Sequence, residues 1–173
     1  MTVRPNLLST TRLVLRVLVG LNFLFGAGIA AILVTSLVAP LWLQTALGFR
    51  AEAPAGLMTG ARLIMVIGIA GVPLAYLVLA RLLAIVAAVR NGDPFIPQNA
   101  DRLLSIAQAL LGIQVLHLAV DGVCAIFSTP SDPLDMGWGN SSIDGWLAVL
   151  LTFVLARVFA AGTQMRADLD GTV

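Results

Sequence analysis

Four long apolar runs, at residues 13–39, 61–89, 103–127 and 143–161, constrain this chain more than any motif in it. A helix crossing a bilayer needs about 20 mostly apolar residues, and each run meets or approaches that length. Breakers separate them: Pro40 after the first, Asn91-Gly92-Asp93-Pro94 after the second, and a Gly, Pro, Ser, Asp and Asn mixture over 130–142. The expected fold is all-α: one polytopic domain over residues 1–173, with four transmembrane helices in a bundle.

Composition supports this reading. The 173 residues are 59% hydrophobic and 11% charged, whereas a soluble domain carries about 25% charged residues. A net charge of +1 argues against direct nucleic-acid binding, which needs a clustered basic face. The first run is too long for a signal peptide, whose apolar region is about 7–15 residues.

Orientation follows from the arginines, since inward loops hold the basic residues of a membrane protein. Of the ten basic residues, all arginine, Arg50 and Arg62 alone fall outside when the N-terminus is inside. The 130–142 connection has Asp132 and Asp135 and no basic residue, as an exported loop should. Both termini are then cytoplasmic. The second run would reach roughly 43 Å at 1.5 Å per residue, against a hydrocarbon core of about 30 Å. Its turns beyond Arg81 therefore extend into the cytoplasm, as do the start of the third helix and the end of the fourth beyond Arg157. Arg16, Arg81 and Arg157 are expected at one depth.

Small residues drive helix packing in membranes. Gly26, Ala27, Gly28, Ala30 and Ala31 on the first helix and Gly68, Ala70 and Gly71 on the second allow close contact, within the chain or across a homo-oligomer. Asn22 is a candidate interhelical hydrogen-bonding group.

Polar residues inside a span are rare and mark candidate sites. His117 and Asp121 are four apart on the third helix and share a face, with Gln114 on a nearby face. One reading has His117 and Asp121 satisfying each other, or Asp121 reaching Arg62. The other has Asp121 acting as the acid of a small proton-coupled transporter or exporter. One Cys, Cys124, and one His exclude an intrachain disulfide and a Cys-based metal site. No Ser–His–Asp set and no phosphate-binding Lys loop is present, so neither an enzyme nor a cofactor is expected.

The third place of interest is the turn at 90–103. Gly92 suits a helix C-terminus, Pro97 suits the first position of the next helix, and Asp101 suits its early turns. Beside that structural reading stands a recognition surface displaying Asp93, Phe95, Asn99 and Arg102. Gly92, Asp93, Pro94, Phe95, Asn99 and Leu103 match the Gly-Asx-Pro-Phe…Asn…Leu pattern of a bacterial family known as domain of unknown function 2975. The tail matches its ending through Val158, Phe159, Gly162, Asp170, Thr172 and Val173. The chain thus resembles that family from about the second helix onward. It departs at Ile96, where a capping Ser or Thr is usual, and at Gly171, usually apolar.

The resemblance implies a bacterial inner-membrane protein without an assigned activity. Members are often encoded beside a small helix-turn-helix regulator. That implies a regulatory or scaffold role, with a cytoplasmic partner bound through Asp93, Phe95, Asn99, Arg102 and Asp170.

Overall fold

The computed structural model describes residues 5–41, 55–90, 96–128, 134 and 143–170. Four helices account for nearly all of them: α1 Pro5–Val38, α2 Ala55–Arg90, α3 Pro97–Phe127 and α4 Ile143–Asp170. Each is longer than its apolar run, with helical residues continuing past the apolar stretch at one end or both. All four are long and apolar enough to cross a membrane.

Local chemistry sets several helix ends. Pro40 has no N–H, so α1 closes with Ala39 N donating to the Thr35 carbonyl at 2.8 Å. Arg90 occupies the last turn of α2, where a cation meets the negative end of the helix dipole. Ile96 caps α3 without a side-chain bond, and Pro97 opens the helix with φ already near the helical value. Asn99 N then donates to the Ile96 carbonyl at 2.9 Å, a tight first turn. At the other end of α3, the Ser128 hydroxyl accepts from Leu134 N at 3.0 Å.

The helices pack in chain order, α1 on α2, α2 on α3 and α3 on α4. Two cores hold them. At the end far from the termini, Ile29 of α1 meets Leu57, Ala61 and Met65 of α2, closed by Leu134 and by Cys124 and Phe127 of α3. At the termini end, Leu103 and Ile106 of α3 meet Ala156 and Phe159 of α4 over Val78, Leu82 and Ile85 of α2. Among the described residues, the far core takes none from α4 and the near core none from α1. The four-helix bundle is therefore a series of neighbours, α1 against α2, α2 against α3 and α3 against α4.

Close approach depends on small residues, Gly26 and Gly60 among them. A Cβ on Gly26 would stand 2.9 Å from Val72 Cγ2, so α1 and α2 can meet there only over a glycine. Likewise a Cβ on Gly60 would fall 2.7 Å from Phe127 Cβ and 2.8 Å from Leu134 Cδ1.

Large apolar side chains line the outside, including Leu24 at 69% and Leu151 at 66% exposed. A water-soluble monomer rarely carries apolar surface on this scale; lipid tails accept it without cost. With four candidate spans and this surface, the fold is that of a multi-pass membrane protein.

Candidate functional site

Three polar latches tie the helices together, and each uses a side chain to satisfy backbone. Asn22 Nδ2 of α1 donates to the Val72 carbonyl of α2 at 3.1 Å, beside Pro73. Toward the far end, Arg62 of α2 reaches Ser36 of α1: Nε donates to Ser36 Oγ at 3.2 Å and Nη2 donates to the Ser36 carbonyl. Ser36 is completely buried, and its hydroxyl donates onward to the Leu33 carbonyl at 2.6 Å.

The third latch lies at the termini end, where α2 ends and α3 begins. Arg102 Nη1 donates to Asn99 Oδ1 at 2.7 Å and to the Ala84 carbonyl of α2 at 3.3 Å. It thereby pins the first turns of α3 against the last turns of α2, and sets a cation near the negative end of the α2 dipole. Asn99 is 0% exposed. The expectation that Asn99 is displayed on a recognition surface is corrected: its carboxamide is consumed inside, holding Arg102. Asp93 and Phe95 lie outside the described residues. Asp170 is the last residue of α4, and its side chain also lies outside them.

The mid-helix group is arranged differently from either pairing considered above. His117 Nδ1 is 3.2 Å from Gln114 Oε1, one turn back, rather than bonded to Asp121; this bond requires the Nδ1–H tautomer. Arg62, the alternative partner for Asp121, goes to Ser36 instead. Gln114, His117 and Asp121 nevertheless share one side of α3, since three- and four-residue steps return to the same face. His117 also lines a cavity of about 50 Å³ between α2 and α3, with Gly68, Gly71 and Leu116 among its walls.

Gln114 is 5% exposed and lies against Gly145, where an added Cβ would overlap its carboxamide. Its Nε2 is a buried donor without a hydrogen-bond partner. Gln114 stands near the middle of α3, whereas Gly145 is in the first turn of α4. So α4 begins halfway along α3. The remaining α3 residues, 115–127, run on past it by about 20 Å at 1.5 Å per residue. The fourth apolar run reads as a full crossing in sequence, but it is displaced toward the termini end.

No group of three or more His, Cys, Asp or Glu among the described residues could hold a metal ion. Sequence reading missed Ser36 and the Gln114–Gly145 contact. A signal for the first was present: Pro40, four residues on, cannot donate to the Ser36 carbonyl.

A long-helix, lipid-facing fold with latches made from side chain to backbone defines an integral membrane protein of the multi-pass helical class. Comparison with known families narrows it: the family described as Protein of unknown function (DUF2975) matches residues 38–173, and the chain belongs to that family. The match takes in the end of α1 and everything after it, including both polar groups on α3. No curated protein and no solved structure matches the chain.

Proposed function

We propose that this is a regulatory or scaffold protein of the bacterial inner membrane. In this reading both termini are cytoplasmic, and a cytoplasmic partner is held through Asp93 and Phe95 at the end of the bundle where α2 ends and α3 begins. The observation that carries the reading is the Arg102 latch. One half-buried guanidinium joins Asn99 of α3 to Ala84 of α2, on a core that α4 also enters. Fixing the start of α3 to the last turns of α2 preorganises this end of the bundle, and preorganisation lowers the entropic cost of binding. A small helix-turn-helix regulator is the partner class to test first. The group acts by binding rather than by catalysis.

The experiment is photo-crosslinking from position 98, exposed at the start of α3, in native membranes, followed by mass spectrometry of the adducts. A recurrent cytoplasmic protein, lost with Phe95→Ala and weakened with Arg102→Ala, is the expected result. Adducts made only of lipid or neighbouring spans would overturn it.

A second reading is favoured by the half-length offset of α4. The far half of α3 carries Gln114, His117 and Asp121 along one side, and the unpartnered Gln114 donor sits at the first turn of α4. An unpaired buried donor calls for an acceptor, water being the simplest. A hydrated recess there would suit a small proton-coupled transporter acting through Asp121. Proton-coupled uptake or efflux unchanged by Asp121→Asn would eliminate this reading.

A further inference from the structure

We infer that the first turns of α4 form a movable flap over Gln114, and that opening of the flap admits water to the middle of α3. The α3–α4 contact is made differently at its two ends. At the start of α4 it is a glycine against a carboxamide: Gly145 brings no side chain, and Gln114 Nε2 is shut in beside it without an acceptor. A buried donor that has lost water and gained no partner opposes the closed arrangement. About three turns further along α4, the contact is apolar. There Ala156 packs with Leu103 and Ile106 of α3, and Phe159 and Leu110 lie against them.

Between these two contacts lies a place for α4 to bend. Thr152 Oγ1 donates to the Ala148 carbonyl at 2.7 Å. A hydroxyl bonded back to the carbonyl four residues earlier competes with the helical bond there and bends helices. The outer side offers little resistance. α4 packs chiefly on α3, and Leu147, Leu150 and Leu151 are exposed, where lipid tails replace one apolar neighbour with another at no cost. The segment before Thr152 can therefore swing while the segment around Ala156 stays packed.

Opening parts Gly145 from Gln114, and Nε2 then takes a water molecule as its acceptor. The α3 wall of the gap is polar, since His117 and Asp121 continue the same side of that helix. Recovering the missing bond favours the open arrangement by about tenfold over an apolar side chain of the same length. The flap goes beyond both functional readings: it stands whether or not Asp121 carries protons.

The test uses the full chain in lipid nanodiscs with Cys124→Ser as background, so that one introduced thiol reports at a time. Val149 and Ala156 lie on the same side of α4 and are equally buried, at 4% and 5% exposed, but they flank Thr152. N-ethylmaleimide reacts with the thiolate, which forms only where water reaches. Val149→Cys is expected to react about tenfold faster than Ala156→Cys. Adding Gln114→Met removes the donor and keeps the length of the side chain. It should slow Val149→Cys about tenfold and leave Ala156→Cys unchanged. A frayed helix end would show the first difference as well; only the flap makes it depend on Gln114. Equal rates at the two cysteines, or a Val149→Cys rate unmoved by Gln114→Met, would overturn the proposal. If a cysteine variant does not fold, deuterium exchange of the chain with and without Gln114→Met decides. Protection of residues 147–151 should rise with the methionine, and no rise would overturn the proposal equally.

Discussion

Arg62 donates to the Ser36 carbonyl that Pro40 leaves without a helical partner. In an uninterrupted helix that carbonyl would accept from the N–H four residues ahead, and proline has none. A buried carbonyl without a donor is costly, more so where no water can reach it. The α2 guanidinium supplies the missing donor and binds the Ser36 hydroxyl as well, so one side chain closes the end of α1 and fixes it to α2.

Arg62→Ala should therefore destabilise the fold by about 1–3 kcal/mol, the range for stranding a buried hydrogen-bonding group. Arg62→Lys keeps the charge but cannot make the two-nitrogen contact, and should fall between. Thermal unfolding in detergent, followed by circular dichroism, gives the order. Equal stability of the alanine variant and wild type would show that the latch contributes nothing.

Asn22→Val should cost less. Its Nδ2 adds a bond to a Val72 carbonyl inside a continuous helix, and side-chain bonds between membrane helices average about 0.6 kcal/mol. The two variants measured side by side separate a bond that supplies a missing partner from one that supplements an existing one.

The four helices long and apolar enough to cross a membrane were legible in sequence, because apolar length reports on a helix by itself. What was not legible depends on how helices meet. Nothing in residues 143–161 tells that their first turn abuts Gln114 at mid-α3, since an apolar run is the same wherever it starts. Asn99 matched a family pattern and read as displayed; its burial follows from Arg102 folding back toward Ala84, a tertiary contact. Asn22 was readable as an interhelical donor because a polar side chain in a span needs a partner, although its acceptor was not. Ser36 went unread because a lone serine near a helix end is commonplace, and its meaning came only from Pro40 and Arg62 together.

Arg102→Ala tests whether the termini end is held as described. Loss of a charge-assisted bond to buried Asn99 should cost about 1–2 kcal/mol, discounted because Arg102 is partly exposed. The local signature is more telling than the total. Amide exchange should accelerate in the first turns of α3 and the last turns of α2, and stay unchanged around the Ser36–Arg62 latch. Uniform acceleration across all four helices would mean that the contact has no local role.

Gly145→Ala addresses the offset of α4. The added methyl would occupy the space of the Gln114 carboxamide, so either that side chain leaves its buried position or α4 moves away from α3. Overpacking of this kind costs about 1–3 kcal/mol. Gln114→Ala removes the obstacle, and in its background Gly145→Ala should be nearly neutral, because the vacated volume exceeds one methyl. Single and double variants form a cycle whose coupling, read from unfolding midpoints, should be of the same size as the single-variant loss. Additive effects would mean that α4 does not start against Gln114 in the membrane, and the second functional reading, which needs that half-length offset, would fall with it.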